Sequence, residues 1–279
     1  SGILSLNGGL DTSNSGSDAA GTLTLNSSIS SITLAGNSVL RTNGTSDQAL
    51  TLAETVDGSS AGGQTLSIDT GTADLILNSA IGASTNTGAL TLGGNDIDIN
   101  ANISAAGITM TSVEGSSDGD SVDLSTAAVS IDAKGGNLTI NTDNFTTGGT
   151  TTFLSTGGGA TFTLTGETAA TIIDVGSSAA GGTGLDISEA ELQDVASTFS
   201  TIAIGMDTSQ TGAVTVNDAG GLTALNSGLT LRSEGSGGSV TIGSTIDLTN
   251  TTSSSLLVEG TTINLDGSIN TDSGSVTLT

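Results

Sequence analysis

Aliphatic residues recur at every second position in short bursts along the whole chain. In ALTLGGNDIDINANI they stand at Leu90, Leu92, Ile97, Ile99 and Ile103. The same spacing returns at Leu256, Val258, Ile263, Leu265 and Ile269. A period of two places alternate side chains on one face of a strand, so each burst predicts a short strand with one face buried. The gaps are rich in Gly, Asn, Asp and Ser, residues that accept the tight corners a φ above zero allows. The repeating unit is therefore two short strands joined by a corner.

Looser copies fill the rest of the chain, among them TLSI and DLIL (Leu66, Ile68, Leu75, Leu77) and SVDL and AVSI (Val122, Leu124, Val129, Ile131). Equivalent strands return at intervals of roughly 15 to 27 residues, a period that points to stacked coils. An antiparallel sandwich is the competing architecture, with strands spaced roughly 8 to 12 residues apart. It would usually carry Pro, Tyr and Trp, and all three are absent. The expectation is an all-β parallel β-helix (β-solenoid), continuous over residues 1–279. A single coil buries too few aliphatic groups to offset the entropy of ordering its backbone, so the coils must stack to be stable.

One stretch departs from the pattern. Residues 185–205 read LDISEAELQDVASTFSTIAIG. Ser188 followed by Glu191 is a capping box, with Glu189 and Glu191 in the first turn where a helix N-terminus favours acids. The spacing predicts a short helix from Glu189 to about Ala196, inside an insertion spanning 186–200. Leu192, Val195 and Phe199 are available to pack it.

Composition narrows the function classes. The formal charge is −25, and the only basic residues are Arg41, Lys134 and Arg232. Such a chain repels nucleic acid and anionic lipid surfaces. Without Cys or His it lacks disulfides, thiolates and imidazole bases, so the usual nucleophilic triads are out of reach and no enzymatic role is expected. No apolar run approaches the length of a membrane span. No secretory leader is visible and the first residue is Ser1, which reads as processed or interior sequence. Phe145, Phe153 and Phe162 read as core stackers.

The segment Asp186 to Val216 resembles one that recurs in filamentous-haemagglutinin-like proteins, which are large bacterial surface and secreted repeat proteins. The resemblance lies in SEAEL (Ser188–Leu192), in the strand Thr201–Gly205, and in the strand pattern from Ser209 to Val216. It implies a right-handed β-helix serving as the shaft or adhesive surface of an exported protein, with host or surface glycans among its partners. The secretion domain of that family has Asn-Pro motifs and has no counterpart in this Pro-free sequence.

Two sets of residues are candidates for function. Asp118, Asp120 and Asp123 crowd one turn in SDGDSVD and could hold Ca²⁺, whose ligands are hard oxygens; the alternative is solvated turn acids. The first and last strands, with Ile3, Leu4 and Leu6 at one end and Val276 and Leu278 at the other, are in strand pattern without a polar cap. Open ends of stacked coils are unpaired edges that recruit another strand. The expected function is thus an extracellular structural rod, continued at both ends by adjoining polypeptide or by another subunit into a filament, fibre or matrix. The competing expectation is the shaft of a large exported adhesin.

Overall fold

The computed structural model describes residues 2–12, 21–25, 28–44, 46–113, 120–126, 128–176, 184–223, 225–249 and 255–279. Among them the chain is nearly all β, with short strands, one five-residue helix, and parallel pairing throughout. Contacts cluster into two compact units: Ser1–Asn137 with Thr146–Thr152, and Leu138–Phe145 with Phe153–Thr279.

In the first unit the chain visits three sheets in rotation. The first sheet pairs Gly9–Asp11, Ser38–Arg41, Leu66–Asp69, Leu90–Gly94 and Ile108–Ser112 in that order. The second pairs Leu50–Leu52, Leu75–Leu77, Asp96–Ile99 and Ser121–Leu124. The third runs from Gly2–Leu6 through Ile29–Leu34 and Thr55–Gly58. Single bridges at Ile81 carry it on to Ile103–Ser104 and Ser130–Asp132. Parallel strands always need a crossover, and from Ser38–Arg41 onward each crossover runs through the other two sheets.

Register places like on like. Leu66 lies beside Leu90 and Leu90 beside Ile108; Ile68, Leu92 and Met110 form the next row. Leu75 and Ile97, then Leu77 and Ile99, do the same in the second sheet. All five aliphatic residues of the opening stretch are buried. Each such side chain contributes roughly 1.5–3 kcal/mol of transfer free energy, and it does so only because neighbouring rows cover it. Polar rows stack outside: the Asn100 amide donates to Asn78 Oδ1 at 3.1 Å, and Arg41 lies between Asp11 (3.5 Å) and Asp69 (3.6 Å) of the flanking strands.

The second unit follows the same plan. Its first sheet pairs Leu138–Asn141, Ala160–Thr165, Phe199–Ile204, Gly228–Ser233, Leu256–Gly260 and Val276–Leu278. Its second sheet contains one step against the order. Ile172–Val175 pairs with Val214–Val216 on one side and Gly184–Ile187 on the other. Both neighbours come later in the chain, so Gly184–Ile187 is an extra strand laid back on the earlier side. Gly184 makes this possible: a Cβ there would collide with the carbonyl oxygen of Ile172.

The helix follows that strand and spans Glu189–Gln193. The capping box is formed: Ser188 Oγ accepts from Glu191 N (3.2 Å), and Ser188 N donates to Glu191 Oε2 (2.8 Å). The helix is shorter than the expected Glu189–Ala196. Phe153 N donates to the Asp194 carbonyl and Ala196 N to the Phe153 carbonyl, both at 2.9 Å. These groups are spent on a parallel bridge between Val195 and Phe153, and a helix cannot use them as well. Leu192 is its buried residue. Replacing Ser188 by Ala is expected to cost about 1 kcal/mol, the usual worth of an N-cap, measured as a shift in the urea midpoint at constant slope.

Candidate functional site

Interior rows stay covered, and the outermost rows do not. Leu229, Leu256 and Val276 are successive members of one row, as are Leu231, Val258 and Leu278. Leu256 and Val258 are 0% exposed, whereas Val276 and Leu278 are 44% and 43% exposed. The neighbouring edge strand Thr262–Leu265 leaves Leu265 open as well. In the first unit, the edge strand Gly2–Leu6 has Ile29–Leu34 on one side. There Ile3 is 72% exposed, Leu4 is half-buried and Leu6 is buried. The expected assembly residues are thus edge positions that present aliphatic side chains and strand backbone to solvent, apart from Leu6, which already lies in the core.

The three candidate calcium ligands are arranged differently from their sequence proximity. Asp118 lies outside the described residues. Asp120 is buried and accepts from Ser112 Oγ. Asp123 sits in the strand Ser121–Leu124 and is half-buried, on the face opposite the buried Val122 and Leu124. Asp120 and Asp123 therefore face opposite sides, as an odd separation in an extended chain dictates. Asp123 instead lies in direct register with Asp98.

Asp98 and Asp123 belong to a row of acids on the outer face of the second sheet of the first unit, with Asp96 and Asp74 nearby. Burial, together with the charges of Asp123, Asp96 and Asp74, pushes the Asp98 carboxyl above the ordinary aspartate value. The second unit repeats the device: Asp174 pairs in register with Asp186, and burial plus the Asp186 charge raises its carboxyl too. Sequence reasoning missed both pairs. Their signal was Asp at equivalent positions of successive strands, DID beside SVD and IIDV beside LDI.

The linkage has a definite sign. A raised folded-state value means that ionising Asp98 costs the folded state more than the unfolded one. The penalty is absent below the unfolded value near 3.8 and grows as pH rises through the folded value. Asp98→Asn should therefore raise the melting temperature at pH 7 and flatten its fall in the window just above pH 3.8. The gain at neutral pH should be under about 1 kcal/mol, because solvent screens a half-buried group. A thermal melt series from pH 3.5 to 7 reads both effects.

Each basic side chain has an acidic neighbour. Besides Arg41, Lys134 Nζ is 2.8 Å from Asp132 and Arg232 Nε is 2.7 Å from Glu259. Among the described residues, no helix is long and apolar enough to cross a membrane. No family model, curated protein or solved structure matches the chain.

Proposed function

We propose that this chain is an extracellular structural protein, a right-handed β-solenoid rod that is continued or assembled end to end into a filament, fibre or matrix. The observation that carries this reading is the contrast within single rows. Leu256 and Val258 are fully buried, while the next members of the same rows, Val276 and Leu278, stand open. A further strand in register would bury them and pair the edge backbone. Either adjoining polypeptide or a second copy can supply it. The acidic outer surface, with its in-register carboxylates, opposes lateral clumping and leaves the edges as the place for contact.

The second reading is the shaft of a large bacterial surface adhesin. It is favoured by the segment that resembles filamentous-haemagglutinin-like proteins, in which Ser188 and Glu191 form a real cap and the following segments Phe199–Ile204 and Val214–Val216 are strands. Electron microscopy of the purified chain separates the two. Fibres of uniform width that lengthen with protein concentration support assembly. Discrete particles unchanged over a hundredfold concentration range would sink it and leave the shaft.

A further inference from the structure

The alternation that begins in the strand Leu50–Leu52 runs on into an acid. Leu50, Leu52, Glu54 and Val56 are spaced by two, and all four are buried. Leu52 lies beside Leu77 and Val56 is bridged to Ile81, so Glu54 shares its row with Ser79. One pass further on, Leu77 lies beside Ile99 and Ile81 is bridged to Ile103, which adds Ala101 to that row. A carboxylate therefore stands where the next two passes have small residues. The Ser79 hydroxyl is spent on the Ala53 carbonyl at 2.6 Å. Glu54 is 8% exposed, and among the described residues its carboxylate has no hydrogen bond and no ion pair. A buried acceptor left in this state costs the fold its desolvation penalty with nothing in return.

Glu54 lines a cavity of about 270 Å³ that lies wholly within the first unit. Leu23, Leu25, Ala49 and Ala53 give the cavity an apolar part. Three hydroxyls, those of Thr22, Thr24 and Thr51, give it further oxygens. Thr22 Oγ1 donates to Gln48 Oε1 at 3.5 Å, which leaves its lone pairs to accept. The cavity also adjoins an open backbone edge. Leu50 N donates to the Asp74 carbonyl and Asn78 N to the Leu52 carbonyl, so the peptide groups of Thr51 face the other way. The strand Leu50–Leu52 is the last of its sheet on that side.

We infer that this cavity binds a primary ammonium group on an unbranched alkyl stem, the chemistry of a lysine side chain. The carboxylate selects a cation, and the apolar part selects the stem that carries it. Lysine combines three donors with a four-carbon stem that packs on apolar surface. The donors match Glu54 and the threonine hydroxyls. A hard metal ion would need six or more oxygens and would strand the leucine and alanine surface. The cavity is smaller than the roughly 300–1,000 Å³ that encloses a drug-sized ligand, so it suits one side chain. This chain cannot fill it from its own stock. Arg41 faces Asp11 and Asp69, Lys134 faces Asp132, and Arg232 faces Glu259. A second copy has the same three cations, paired in the same way. The amine comes from a different molecule, and the site is independent of end-to-end assembly.

Saturation-transfer NMR on the full chain tests this with Nα-acetyl-lysine N-methylamide as the probe. The expected result is saturable transfer, strongest at the protons beside the ammonium. It should be about tenfold weaker in Glu54→Gln, which keeps the shape and removes the charged acceptor. Asp272→Asn removes the same charge from an exposed site in the second unit and should change nothing. The norleucine and Nε-acetyl-lysine analogues, which lack the charge, should give no saturable transfer. The n-butylammonium ion distinguishes the source: weaker binding than the lysine probe places the amine on a polypeptide, and equal binding makes it a free amine. Glu54→Gln should also melt no lower than the parent, because it removes an uncompensated buried charge. Equal weakening in Asp272→Asn would mean general attraction to an acidic chain. That result, transfer unchanged in Glu54→Gln, equal transfer to norleucine, displacement of the probe by millimolar Ca²⁺ in the parent alone, or a lower melting temperature for Glu54→Gln would each overturn the assignment.

Discussion

Replacing Phe162 by Ala is expected to remove about 3–5 kcal/mol of stability, the largest loss of any substitution considered. The four phenylalanines of the chain form one continuous column in the second unit. Ring centroids are 5.9 Å apart from Phe145 to Phe153, 5.2 Å from Phe153 to Phe162, and 5.9 Å from Phe162 to Phe199. The rings are tilted or edge-on, the geometry aromatic quadrupoles prefer. Phe162 is 1% exposed and has a ring on both sides. Its strand is held on both flanks, Phe162 lying beside Leu138 on one side and Ile202 on the other. Those ladders keep the backbone from collapsing into the space a truncation leaves, so most of the cavity persists. Phe145 ends the column with one ring partner and is slightly exposed; its Ala variant should cost less. Urea unfolding followed by circular dichroism measures both. A double-mutant cycle on Phe153 and Phe162 should return a coupling of about 0.5–1.5 kcal/mol. Equal losses for Phe145→Ala and Phe162→Ala would remove the column argument.

The features that could be read from the sequence are those that local chemistry determines. Alternation is a property of a single strand, so the burial of Leu90, Leu92, Ile97, Ile99 and Ile103 was readable from spacing alone. The capping box needs only Ser188 and Glu191, three positions apart, and it formed. What escaped depends on partners remote in sequence. The helix ends at Gln193 because Phe153 claims the backbone of Asp194 and Ala196. The reversed strand Gly184–Ile187 depends on a close approach to Ile172 that no local pattern announces. The acid rows arise from register, which sets Asp98 beside Asp123 and Asp174 beside Asp186. The same alternation that predicted the strands sets Asp120 and Asp123 on opposite faces, while Asp120 comes close to Asp143 and Glu167, which are remote from it in sequence. The cavity at Glu54 was invisible for a related reason: its lining comes from two separate passes of the chain.

The double variant Val276→Lys/Leu278→Lys is expected to abolish end-to-end assembly and leave the fold intact. Both side chains are more than 40% exposed, so the folded chain should lose under about 1 kcal/mol. Lysine on an edge strand obstructs pairing, because a docking strand would have to desolvate the ammonium groups. The choice of lysine also separates two causes of association. The chain carries a charge of −25, and two added positive charges weaken the repulsion between copies. If association were general clumping held back by charge, the variant would associate more readily than the parent. If it is pairing at the edge that presents Val276 and Leu278, the variant associates less, against the electrostatic trend. Sedimentation velocity at matched concentration, at low and moderate salt, distinguishes the two by the sign of the change. A variant that forms fibres as long as the parent's would remove the Val276–Leu278 edge from the assembly surface, however exposed its side chains are.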